Sequence, residues 1–202
     1  LYFYTFRKQG STFKFNARDL ETDSPRFTFG NQVWDNMFGS CASGVTIWTG
    51  YEVLFMWAYA NDYIVLLDWR ENAVWLALCL LLSPIWISGH FFVVHRLLHW
   101  PPLYKLAHAV HHRNSNVGPW SGFSMHPIEH VLYMSAVLIF VFVPTHPILI
   151  LFLLHFAALA AASSHTGFER IQIRGTKGLR LSTYFHLLHH RYFECNYGVF
   201  CS

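Results

Sequence analysis

The stretch AVWLALCLLLSPIWISGHFFVVHRLLHWPPLYKLAHAVHH, residues 73–112, decides how this chain is read. It begins as an apolar run, Ala73 to Val94, long enough to cross about 30 Å of hydrocarbon as a helix. It ends in histidines. His95 and His99 stand at the i, i+4 spacing, and His108, His111 and His112 form His-x-x-His-His; a second copy of that pattern stands at His186, His189 and His190. Residues at i, i+3 and i+4 share a helix face, so each triplet is expected to aim at one spot. Eight imidazoles exceed the shell of one ion, and four per metal predicts a dinuclear centre. An all-nitrogen shell favours a redox-capable transition metal over magnesium or calcium.

Composition is the competing explanation, since the chain holds 14 histidines in 202 residues. Surface histidines would scatter, however, whereas these group at helical spacings directly after apolar segments. Structural zinc prefers four ligands, usually with cysteine, and Cys41, Cys79, Cys195 and Cys201 all lie outside the clusters. No Cys-x-x-Cys occurs, which fits a reduced cytosolic setting.

At 53% hydrophobic, 18% aromatic and 12% charged residues, the sequence has too little polar surface for a soluble globule and reads as a bilayer protein. Val45 to Leu67, interrupted by Glu52 and carrying Asn61 and Asp62 near its end, precedes the run that starts at Ala73 and contains Pro84. The polar segment Asp68 to Asn72 between them predicts a helical hairpin. A third apolar region, Val131 to Ala162, is broken by Pro144-Thr145-His146-Pro147 and predicts a second hairpin. The expected fold is therefore an all-α integral membrane protein with about four transmembrane helices in two hairpins and a cytoplasmic helical cap carrying a histidine-rich dimetal site. Residues 1–44 are expected to be an N-terminal interfacial segment with aromatic anchors, and residues 45–202 the membrane domain.

Charge sets the orientation. Arg7, Lys8, Lys14, Arg18 and Arg26 precede the first hairpin; Arg96, Lys105 and Arg113 accompany the first histidines; Arg170, Arg174, Lys177, Arg180 and Arg191 accompany the last. Only Arg70 remains for the far side, so the positive-inside rule puts both termini and every histidine cluster in the cytoplasm. A net charge of +3 suits anionic headgroups and gives no ground for nucleic-acid binding. The sequence starts at Leu1 and shows no cleavable signal peptide.

Five motifs carry a resemblance: HFFVVHRLLHW (90–100), LYKLAHAVHH (103–112), MHPIE (125–129), HTGFE (165–169) and HLLHH followed by Asn-Tyr-Gly (186–198). In this order they resemble the fatty acid hydroxylase superfamily, and within it the sterol desaturase and C4-methylsterol oxidase branch. That family's pattern continues past Asn-Tyr-Gly with an aspartate and a Phe-Gly-Thr turn. This sequence ends at Ser202 without them, so either the chain continues or it departs from the pattern there.

The resemblance implies a four-helix membrane enzyme whose metal ligands are His95, His99, His108, His111, His112, His186, His189 and His190, with His126 and His165 as further candidates. By position alone His126 reads equally as a helix cap before Pro127, and His165 as an imidazole at a helix C-terminus. It implies two iron ions, replaceable by zinc in a purified sample, and a monooxygenase that hydroxylates or desaturates a sterol-like lipid in sterol biosynthesis. Sphingolipid, fatty-acid and carotenoid hydroxylases share the same histidine grammar. A structural subunit of a larger membrane complex is the alternative from another class. No Rossmann, flavin or haem motif is present, so electrons are expected from a separate carrier, a cytochrome-b5-type protein or a ferredoxin with its reductase. The expected location is the endoplasmic reticulum, or the inner membrane in a bacterium.

The remaining polar residues are assigned by spacing. Glu129, Glu169 and Glu194 suit holding the outer nitrogens of ligating imidazoles, with a solvated or headgroup-facing charge as the alternative for each, and Asn196 is expected to close the pocket. His90, about 140° round a helix from His95, is expected to pack or to support the site from behind. His130, His146 and His155 have no partner at useful spacing.

Overall fold

The computed structural model describes residue 15, residues 18–169 and residues 183–198. The basic residues Arg7, Lys8, Lys14, Arg170, Arg174, Lys177 and Arg180, Cys201, and most of the N-terminal aromatic stretch lie outside the described residues. Among the described residues the protein is helical and has no strand.

Helix α1 (Gln32–Phe38) starts at Asn31, whose side chain accepts the Val33 and Trp34 amides, and it runs through a π-helical turn (Gly39–Val45) into α2 (Thr46–Ala60). The sequence predicted helix to Leu67. The structure stops it at Ala60, because Asn61 and Asp62 interrupt the run and Asp62 turns left-handed with φ +59°. The apolar residues that follow are used differently: Leu66 forms an isolated bridge with Thr145, and the Leu67 amide donates to the Thr145 carbonyl at 3.1 Å. The Tyr59 hydroxyl donates to that same carbonyl. The turns at the far ends of the two apolar regions are thereby tied together.

Helix α3 (Ala73–Leu98) is 26 residues long, about 39 Å at 1.5 Å per residue, and it extends past the predicted end to include His95. Pro84 has no amide hydrogen to continue the ladder, and next to it the Ser83 hydroxyl donates to the Cys79 carbonyl. Trp100-Pro101-Pro102 ends the helix. A short helical stretch follows, π-helical over Tyr104–His108 and α-helical over α4 (Ala109–His112). Helix α5 (Pro127–Met134) passes into a 3-10 run (Ser135–Val141), and α6 (Pro147–Ser164) follows the expected break. Helix α7 (Thr183–Tyr192) carries the last triplet.

Helix α6 is central. Leu149, Ile150, Leu153, Leu154, Ala157 and Ala161 are buried at i, i+3, i+4 spacing, against Phe55 of α2, Ile87 of α3, and Met134 and Val137 of the α5 region. Both α2 and α3 pack on α5 and α6. On α3 the outward side chains are large and apolar, Leu81 being 70% exposed and Ile85 68%, which is the surface a lipid-facing helix presents. Among the described residues two helices, α3 and α6, are long and apolar enough to cross a membrane; α2 and the 127–141 run are shorter.

The described part of the N-terminal segment is held by buried polar groups. Gln32 donates to Asn114 Oδ1 (3.0 Å) and to the Asn116 carbonyl (2.6 Å), and Asn36 donates to Asn114 Oδ1 (2.8 Å). Asp35 pairs with Arg113, and Arg26 reaches the Arg113 carbonyl. Helix α1 is thus fastened to the loop that follows His112.

Candidate metal centre

Four segments deliver histidines to one end of the bundle: the last turn of α3 with its C-terminal residue His99, the Tyr104–His112 stretch, His165 just past α6, and α7. The ligand atoms fall into two groups, each within 4.8 Å: His95, His99, His108, His112 and His189 in one, and His111, His165, His186 and His190 in the other. Nine of the ten residues expected to be ligands are brought together. His126 is not. It caps α5, its Nδ1 accepting the Ile128 amide at 3.3 Å.

The triplets do not aim at one spot. His108 and His112 join the first group while His111 joins the second; His186 and His190 join the second while His189 joins the first. Successive helical residues are rotated by about 100°, so adjacent imidazoles diverge and the i, i+4 pair stays together. Each triplet therefore serves both groups.

Outer contacts fix how the rings face. His95 Nδ1 donates to the Tyr197 carbonyl (2.8 Å), His189 Nδ1 to the Cys195 carbonyl (2.6 Å), His111 Nδ1 to the Ser124 carbonyl (3.3 Å) and His165 Nδ1 to the Ala161 carbonyl (3.0 Å). A carbonyl only accepts, so each Nδ1 carries the hydrogen and each Nε2 is left with a lone pair. Those lone pairs converge. His189 Nε2 lies 3.1 Å from His99 Nε2 and 3.1 Å from His112 Nε2; His190 Nε2 lies 3.0 Å from His165 Nε2 and 3.2 Å from His186 Nε2. The Nε2 atoms of His95 and His108 are buried with no hydrogen-bond partner among the described residues. Two ligands at right angles on an ion with metal–nitrogen bonds of about 2.1 Å stand about 3 Å apart, so the donors fit a transition metal in each group.

Burial keeps the rings neutral. It pushes His99 and His108 down to about 3 and His111 and His189 to about 4, and it holds His112 well below the usual range; the neighbouring histidines add to the effect at His99 and His112. Neutral imidazole is the form that binds metal.

Of the three candidate carboxylates, Glu129 touches the cluster: its Oε1 accepts from His108 Nδ1 at 2.8 Å. Glu169 instead accepts the Tyr184 amide near the start of α7, and Glu194 is exposed. Asn196 donates to the Phe185 carbonyl. His90 lies away from both groups on Ser135. His130 bridges Ser43 and the Phe123 carbonyl, His146 caps α6, and His155 bonds its own helix. Sequence reasoning missed the carbonyls of Ser124, Ala161, Cys195 and Tyr197, which no side-chain pattern reports. It also missed Gly122, where a Cβ would collide with the Ala161 carbonyl and stand 2.9 Å from His165 Nδ1.

Behind the histidines is a small cavity of about 20 Å³, walled by Phe91, Met125, Tyr133, Ala160 and Ala161 and bordered by His95, His108, His111, His165, His186 and Glu129. On the opposite side an open cleft holds Arg96, Lys105, Tyr104 and Tyr197 next to His99.

Comparison with known proteins adds to this geometry. The family model described as "Fatty acid hydroxylase" matches residues 76–202. The Delta(7)-sterol 5(6)-desaturase ERG3B of Gibberella zeae is 30% identical over 127 residues, covering 62% of this chain and 39% of that protein. The Delta(7)-sterol 5(6)-desaturase of Eremothecium gossypii is 30% identical over 149 residues, 73% of this chain and 41% of the relative. That of Saccharomyces cerevisiae is 31% identical over 110 residues, 54% and 29%. The chain thus spans less than half the length of these relatives. No solved structure matches.

Proposed function

The chain belongs to the fatty acid hydroxylase family, in its sterol desaturase branch, and from that premise we propose that it is a membrane-bound diiron oxygenase acting on a sterol-like lipid. The observation that carries the reading is the pair of converging lone-pair clusters. We assign His95, His99, His108, His112 and His189 to one ion and His111, His165, His186 and His190 to the other. Two irons so held, given dioxygen and two electrons, supply the oxidation of an unactivated C–H bond.

The protein's own residues do the rest. The four carbonyls and Glu129 orient the imidazoles of His95, His189, His111, His165 and His108 so that each presents its Nε2 lone pair. Phe91, Met125, Tyr133 and Ala161 keep the inner side of the site apolar and dry, as a lipid's reacting carbon requires. Arg96 and Lys105, beside the half-buried His99, offer a basic face for an acidic electron carrier. Helices α2 and α5, extended by their flanking helical turns, complete four crossings with α3 and α6. The histidine end faces the cytoplasm, in the endoplasmic reticulum or a bacterial inner membrane.

Metal analysis and oxygen uptake on the purified protein, supplied with lipid and a competent reductant, test this reading. Two irons per chain and lipid-dependent oxygen consumption are expected. A metal-free, oxygen-inert chain that still assembles with other membrane proteins would favour a structural subunit.

A further inference from the structure

The two ligand groups differ in what covers them. Every side chain of the second group, His111, His165, His186 and His190, is buried, whereas the first group contains His99, which is half-buried. His99 lines the open cleft, a space of about 680 Å³ shared with Arg96, Tyr104, Lys105, Phe193, Glu194 and Tyr197.

Three rings of that cleft lie over the first group and, among the described residues, over no ligand of the second. Tyr197 stands 4.9 Å from the His99 ring and 5.3 Å from that of His189; Tyr104 stands 5.7 Å from His99 and 5.8 Å from His112; Phe193 stands 4.9 Å from His112. The Phe193 amide donates to the His189 carbonyl, and its backbone turns left-handed there with φ +63°, which ends α7 and sets the ring at the cleft. The space that borders His111, His165 and His186 is the inner cavity of about 20 Å³, room for about one water. A chelating molecule fits the cleft and does not fit the cavity.

Charge selects the visitor. Arg96 and Lys105 outnumber Glu194 on the cleft, so a bare dication is repelled at its mouth and an anion is drawn in. Polycarboxylates carry transition metals as anionic complexes. Transfer from carboxylate oxygens to neutral imidazole nitrogens exchanges one set of metal–ligand bonds for another, with no change of oxidation state and no proton to release.

We infer that the cleft is the exchange portal of the dimetal centre: through it a small polycarboxylate chelate delivers and withdraws the ion assigned to His95, His99, His108, His112 and His189, while the ion assigned to the second group stays locked behind. This rests on the reading of the site as two ions in two groups.

Metal release tests it without turnover. Protein loaded with zinc, which keeps one oxidation state, is placed in nanodiscs and challenged with EDTA, an anionic polycarboxylate, or with neutral phenanthroline, and the metal remaining is followed by elemental analysis. The wild type is expected to release its two ions in two phases of equal size. Lys105→Glu, at an exposed position, should slow the fast EDTA phase roughly tenfold at low salt, the scale on which a local field changes association rates, and leave the phenanthroline phases unchanged. High salt should erase the difference. His112→Ala should keep only the slow ion and His111→Ala only the fast one. Reversed phases in these two variants overturn the portal, as does a Lys105→Glu chain that yields to EDTA at the wild-type rate or is slowed equally toward both chelators. The wild-type measurement needs no variant to fold: two ions leaving in a single phase sink the portal alone, whereas a chain that binds fewer than two ions sinks the two-ion reading and the portal with it.

Discussion

His111 and His112 are neighbours in the chain and belong to different halves of the centre: the His111 ring lies 5.1 Å from that of His165, while His112 Nε2 lies 3.1 Å from His189 Nε2. His189 and His190 repeat the relationship from α7. The two halves are therefore braced by the same two backbone segments, and loosening either segment disturbs both.

His111→Ala and His112→Ala should each lower bound metal from two ions per chain to about one, because each removes a ligand from a different group. Elemental analysis measures the content, and the double variant should fall further. A single variant that keeps both ions would contradict the division.

His126→Ala and His165→Ala separate the two candidates that sequence alone treated alike. The first removes a helix cap, for a cost of about 1 kcal/mol, and should keep its metal; the second takes one of four donors from its group and should lose an ion. Thermal unfolding and metal content on both variants decide this.

Asn114→Ala removes the acceptor that Gln32 and Asn36 share, and a donor to the His111 carbonyl. Leaving buried amides unpaired costs about 1–3 kcal/mol each. A lower unfolding temperature is expected, with faster metal loss to a chelator, since the same loop follows His112. Loss of stability with unchanged chelation kinetics would show that α1 does not support the ligands.

Acid should destabilise the demetallated protein. Burial sets His111 and His189 at about 4 in the fold, against an ordinary 6.5. As pH falls below 6.5 the unfolded chain takes up protons that the folded one refuses until about 4, so stability is whole above 6.5 and lost toward 4. Melting curves of chelator-treated protein from about pH 7 to about pH 5 should shift downward over this window.

Topology is tested at Glu71, exposed in the segment before α3. In a background cleared of native cysteines, Glu71→Cys in sealed vesicles should react with a membrane-impermeant maleimide from the non-cytoplasmic side. Reaction from the cytoplasmic side would refute the hairpin.

Sequence by itself determined the helical class, the apolar run ending in His95 and His99, the break at Pro144 to Pro147, and the histidines that matter, because hydrophobic length and helical spacing are local properties that neighbours seldom overturn. Only the tertiary structure decided the partners. The 100° between adjacent helical residues says that His111 and His112 diverge, but the positions of His165 and α7 say where each one goes. The use of Leu66 and Leu67 after the end of α2 follows from their pairing with Thr145 across the fold, and the seating of α1 from Gln32 and Asn36 meeting Asn114. The four carbonyls that turn the imidazoles inward are backbone atoms, alike at every residue, and they acquire a role only when distant segments are packed together.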